Sequence, residues 1–131
     1  MKPILVGVKG RFELHVAEAH LANHFKDPTL PPVLATPVLV MIMENAALNA
    51  LKPYLDVGTT ALGTRVEISH LAATPVGRTV RAEAEVTKVD GRRIEFSVRA
   101  FDGEEQVGCG THERALIDVA KFQERLKAKF G

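Results

Sequence analysis

Glu44 stands inside TPVLVMIMENAALNAL, residues 36–51, where almost every neighbour is apolar. Removing a carboxylate from water without a partner costs several kcal/mol, so a partner or a wet cleft must meet it. Glu44, Asn45 and Asn49 can form the polar seam of a buried helix, facing water or another subunit. Alternatively the carboxylate lines a pocket whose low dielectric sets how readily it exchanges a proton. Thr36 has a similar double reading. Followed by Pro37, it is a helix N-cap, yet a helix start also presents amide N–H groups and a positive dipole end to an oxyanion, with the hydroxyl beside them. His70 alternates in phase with Val66 and Ile68 and so faces inward, as a core residue or as a proton-transfer group for a nearby carboxylate.

The elements that must carry these residues follow from pattern. Thr36 and Pro37 open a helix that Pro53 and Gly58 close, about 16 residues or roughly 24 Å at ~1.5 Å per residue. Apolar side chains on nearly every face predict a helix enclosed by other elements. Strands are predicted over 11–17, 62–71, 79–88, 93–101 and 106–117, the third with Val80, Ala82, Ala84 and Val86 alternating against Arg81, Glu83, Glu85 and Thr87. A turn at TPVG and two Asp-Gly turns, at 90–91 and 102–103, join the last four strands as hairpins. A short helix is expected over 20–26, a loop over DPTLPP at 27–32, and a terminal helix over 119–130. One antiparallel sheet, apolar inside and polar outside, wrapped around a long central helix satisfies these patterns. This is an α+β chain of the hotdog fold, with 1–131 as a single domain.

Composition narrows the function. The 131 residues carry a formal charge of +1, with 46% hydrophobic and 25% charged side chains, which argues against nucleic acid or an anionic membrane as partner. The apolar run at 38–51 is too short and too interrupted to span a bilayer. Cys109 is the single cysteine, and the N-terminal MKPILVGVKGRF has too short an apolar stretch for a signal peptide, so a soluble, cytoplasmic protein is expected. His15, His20, His24 and His112 lack metal-ligand spacing, and no metal is expected. Neither a phosphate-cradling glycine loop nor a GxSxG elbow is present.

Four segments together, ATPVLVMIMENAAL, LGTRVEISHLAATPVGRTV, VDGRR and GCGTHERALIDVAKF, resemble the fluoroacetyl-CoA thioesterase family of hotdog proteins over about residues 33–122. The resemblance implies hydrolysis of an acyl-CoA thioester to the free acid and CoA, with no cofactor beyond the CoA of the substrate. It implies Thr36, Glu44 and His70 as catalytic residues and Gly63 and Arg114 as substrate contacts. A guanidinium at Arg114 also suits a phosphate or carboxylate. One departure stands out. Fluoroacetyl specialists carry phenylalanines in the loop before the helix, where this chain has Asp27 and Leu30, and a small or medium acyl group is expected instead.

Thr36 and Glu44 lie eight residues apart on one helix, about 12 Å at ~1.5 Å per residue. One carbonyl cannot meet both in a single chain, which predicts a homodimer, or a higher oligomer built on it, with composite sites. The rivals are a hotdog hydratase, which would place an Asp/His pair around a helix that here has no histidine, and a non-catalytic acyl-CoA-binding protein, for which no DNA-binding segment is present.

Overall fold

The computed structural model describes residues 2–131. In chain order the elements are β1 (Lys9–His15), α1 (Ala22–Phe25), α2 (Thr36–Leu51), β2 (Thr59–His70), β3 (Thr79–Asp90), β4 (Arg93–Asp102), β5 (Glu105–Asp118) and α3 (Val119–Phe130). The expected 20–26 helix is instead a 3-10 turn at Glu18–His20 followed by the single turn of α1. No helix among the described residues is long and apolar enough to cross a membrane.

The five strands form one antiparallel sheet in the order β1-β3-β4-β5-β2. Its inner face is built as the alternation predicts: Val80, Ala82, Ala84 and Val86 on β3 and Ile94, Phe96, Val98 and Ala100 on β4 are all buried. Gly91 and Gly103 take φ of +60° and +59°, the left-handed conformation that an Asp-Gly hairpin requires. The link after β2 is not a hairpin. It carries the chain from one edge of the sheet to β3, three places away, passing the start of α2, where Leu34 N–H donates to the Thr74 carbonyl.

Helix α2 buries Val38, Leu39, Ile42, Met43, Ala46, Ala47, Ala50 and Leu51 against the sheet. Gly10 of β1 permits this approach, since a Cβ there would run into the Ala46 carbonyl and the Ala50 backbone. Enclosure of the helix is incomplete within one chain. Pro37 and Met41 are exposed, and Glu44 and Leu48 only half-buried, so one stripe of α2 remains open. The sheet curls around the opposite side and stops at β2, an edge strand of 12 residues.

Along that edge Val66, Ile68 and His70 keep the expected common phase, pairing in unbroken register with His112, Gly110 and Gly108, but are covered unequally. Val66 is 37% exposed, whereas Ile68 and His70 are half-buried. The register shifts between Gly63 and Arg65; such a bulge bends the strand and re-aims its side chains. Only the last part of β2 lies against the helix start.

Candidate active site

Hydrogen bonds on both sides fasten the start of α2. Leu34 N–H donates to the Thr74 carbonyl at 2.8 Å, Ala22 N–H to Val33 at 2.7 Å and Ala35 N–H to His20 at 2.9 Å. The first of these lays the link after β2 across the helix start, and so brings His70, the last residue of β2, onto Thr36. The N-cap is Ala35, one residue earlier than expected. Thr36 therefore opens the helix with its hydroxyl unused for capping, and Thr36 Oγ1 lies 2.8 Å from His70 Nδ1.

This pair has the form of a nucleophile or donor with its base. Burial lowers the His70 pKa from its ordinary value, opposed by the Ala72 backbone, so the ring is neutral at neutral pH. Its Nε2 is buried and has no hydrogen-bond partner within the chain. The Thr36 hydroxyl can donate to Nδ1 or accept from it; in the donating arrangement, the one that hydrolysis needs, Nε2 carries the ring hydrogen. At the helix start Pro37 has no amide hydrogen, and Val38 and Leu39 both donate to the Ala35 carbonyl. The Thr36 amide is the one donor of that turn left to face an oxyanion. Beside the pair opens a cavity of about 450 Å³ whose walls include Leu30, Val33, Leu34, Leu71 and Ala73.

Glu44 is not in this cavity. Its carboxylate points toward β2 and β5, where Glu44 Oε2 lies 3.8 Å from Arg114 Nη1. It also lies so close over Gly63 that a Cβ there would sit 2.6 Å from Oε2. Gly63 and Arg114 pair directly across the two strands. The residues singled out in the sequence thus form two groups, Thr36 with His70, and Glu44 with Gly63 and Arg114.

A fourth member of the second group, His112, was assigned no role from sequence. Its Nδ1 lies 2.7 Å from the Arg65 carbonyl, and its Nε2 lies 3.2 Å from Arg114 Nη1. A carbonyl only accepts and a guanidinium only donates, so Nδ1 carries the hydrogen and Nε2 accepts from the arginine. Burial lowers the His112 pKa, opposed by the Arg65 carbonyl and reinforced by the Arg114 charge, which keeps the ring neutral for this task. Arg114 also donates from Nη2 to the Ala61 carbonyl at 2.6 Å. The arginine is 7% exposed and held on two sides, so within one chain it aims and neutralises Glu44 rather than reaching into solvent. The signal for His112 was its position two residues before Arg114, on the same inward phase of β5.

A methyl group on Gly63 must displace the Glu44 carboxylate, whereas the rest of that position is exposed. Gly63→Ala therefore tests the role expected of Glu44: displacement of a catalytic carboxylate should lower kcat by about tenfold to a hundredfold, with a melting temperature within a few degrees of the parent. Steady-state hydrolysis beside thermal denaturation checks this.

Among known proteins, the family model described as fluoroacetyl-CoA-specific thioesterase matches residues 16–120. The fluoroacetyl-CoA thioesterase of Streptantibioticus cattleyicolor is 46% identical over 99 residues, 76% of this chain and 71% of that protein. A solved structure of the fluoroacetyl-CoA thioesterase FlK superimposes with a TM-score of 0.91 at 36% identity, covering 99% of this chain and 100% of that one. A thioesterase superfamily member from Thermus thermophilus gives a TM-score of 0.89 at 30% identity, covering 99% and 98%.

Proposed function

The chain belongs to the fluoroacetyl-CoA-specific thioesterase family, and from that premise we propose that it hydrolyses a small or medium acyl-CoA to the free acid and CoA, using Thr36, His70 and Glu44 in a homodimer. The observation that carries this reading is the 2.8 Å contact between the Thr36 hydroxyl and His70 at the mouth of an aliphatic cavity. It supplies a proton acceptor, an unpaired ring nitrogen and an amide donor at one point, which is what a thioester carbonyl needs.

The thioester carbonyl lies at the start of α2, its developing negative charge held by the Thr36 amide and the helix dipole. Attack comes from a carboxylate, directly or through a water that it deprotonates. His70 Nε2 gives its proton to the departing thiolate as Nδ1 takes one from the Thr36 hydroxyl, which is resupplied by the water consumed in hydrolysis, so the ring is neutral before and after. Leu30 on the cavity wall and Asp27, which is turned away into hydrogen bonds with Thr29 N and Oγ1, leave no aromatic closure over the acyl end. The cavity therefore suits an acyl group larger than two carbons.

The carboxylate is Glu44 of the partner subunit. Within one chain the helix holds Glu44 two turns from Thr36, on the open stripe beside the unpaired edge of β2. Two copies joined antiparallel along β2 lay one α2 beside the other. A two-fold axis passing near Met41 then sets Thr36 of each chain against Glu44 of the other. Met41 and Leu62, 40% and 38% exposed, are covered in that arrangement. The lone Cys109 fits a reducing, cytoplasmic setting.

Free-thiol release across a panel of acyl-CoA substrates tests the reaction, and its pH profile tests the histidine. The neutral ring is the active form and its pKa lies below the ordinary 6.5. Turnover should therefore be complete at pH 7 and above, and fall only as the pH drops through a value under 6.5. His70→Ala should remove that acidic limb together with most of the activity. Binding of acyl-CoA without thiol release would favour the non-catalytic rival.

A further inference from the structure

The cavity beside Thr36 has one feature that hydrolysis of a plain acyl chain leaves unused. Of its lining residues, only His70 and Lys26 are ionisable, and none is acidic. Lys26 closes the single turn of α1, its amide donating to Ala22 at 2.9 Å. The following loop contains Pro28, Pro31 and Pro32, whose fixed φ angles limit its freedom. The neighbouring carboxylate, Asp27, is occupied by Thr29. Among the described residues Lys26 takes part in none of the ion pairs. An ammonium at the rim of an otherwise aliphatic cavity, with no acid of its own, is matched by an anion from outside. The volume leaves room for one. At the ~30 Å³ that a water molecule occupies in the liquid, about 450 Å³ far exceeds a two-carbon acyl group.

We infer that Lys26 is a binding residue for an anionic group of the thioester substrate, either a carboxylate at the far end of the acyl chain or a phosphate of CoA. This rests on the thioester reading above and adds the charge of the ligand to it. An ammonium suits both groups as a point charge on a flexible stem, and can sit at the mouth while that stem lies along apolar surface.

The test compares the parent with Lys26→Ala and Lys26→Arg on butyryl and glutaryl thioesters, each carried by CoA and by pantetheine, which lacks the phosphates. If the anion is the acyl carboxylate, Lys26→Ala raises the ratio of the glutaryl KM to the butyryl KM on both carriers. The expected rise is about tenfold, the size of one charge-assisted hydrogen bond. If it is a phosphate, the ratio of the CoA KM to the pantetheine KM rises instead, for both acyl groups. Lys26→Arg recovers part of either change, which a merely structural role would not produce. Both ratios unchanged, with hydrolysis intact, overturns the inference and leaves the thioesterase reading standing. Calorimetric binding of CoA and of glutarate to the parent and Lys26→Ala separates the two claims without turnover. A chain that hydrolyses nothing yet loses affinity for either probe on losing Lys26 sinks the hydrolase and keeps the lysine. Equal affinities for both probes overturn the lysine.

Discussion

Glu44→Ala is expected to lower kcat for acyl-CoA hydrolysis roughly a thousandfold, the middle of the range for loss of a positioned acid–base group, while the assembly stays folded. Folding tolerates the change because the side chain is only partly withdrawn from water, at 36% exposure, so its ion pair contributes little to stability. Arg114, which loses that partner, keeps the Ala61 carbonyl and His112. Glu44→Gln should lose as much activity while retaining the packing over Gly63, because an amide can neither attack nor take a proton. Steady-state thiol release, thermal denaturation and light scattering on the same samples read the three quantities. Turnover at the parental rate in a folded assembly would remove Glu44 from the chemistry and leave it a neutralising partner for Arg114.

How far the sequence discloses this depends on the distance over which each feature is decided. Strands β3 and β4 are legible residue by residue, because alternation and an Asp-Gly turn are local signals and both faces of those strands meet what the pattern implies. β2 is legible as a strand and in its phase from Val66 to His70, but not in its bulge or in how much of that face is covered. Its bulge at Gly63–Arg65 is set by pairing with Glu113 and Arg114, some fifty residues away, and Val66, though in phase with Ile68 and His70, is left uncovered at 37% exposure. The cap of α2 slips from Thr36 to Ala35 because the Thr36 hydroxyl has a better use in His70, a contact that no local rule contains.

The apolar circumference of α2 predicts burial without saying by what. Composition cannot distinguish a face covered by its own sheet from one left for a second copy, so the stripe through Met41 and Glu44 reads as enclosed until the sheet is seen to stop. His112 was missed for a related reason. Its role depends on the Arg65 carbonyl, 47 residues away, which appears in no motif. Thr36, Glu44 and His70 were accessible as chemically unusual residues, but their division into two separate groups needed coordinates.

That division leads to the second large effect, which concerns two inactive proteins mixed together. Thr36→Ala removes the hydroxyl that orients His70, and Glu44→Gln removes the carboxylate, so each homodimer alone should be nearly dead. Co-expressed with different affinity tags, the two chains assort into homodimers and heterodimers. In a heterodimer the Thr36→Ala chain still offers Glu44, and the Glu44→Gln chain still offers Thr36 and His70. If each site takes its hydroxyl from one chain and its carboxylate from the other, one of the two sites is intact and the second lacks both groups. Random assortment makes half the dimers mixed, so total activity should return to about a quarter of the parental value under two-fold symmetry. Heterodimers isolated through both tags should reach about half. If Thr36 and Glu44 of the same chain served one site, every site in the mixture would lack one group, and no recovery would be seen at any mixing ratio. The same null result from a chain that sediments as a monomer would also end the composite site. Recovery near the predicted fraction requires the carboxylate to cross the interface, because a fixed helix keeps the two groups about 12 Å apart within one chain.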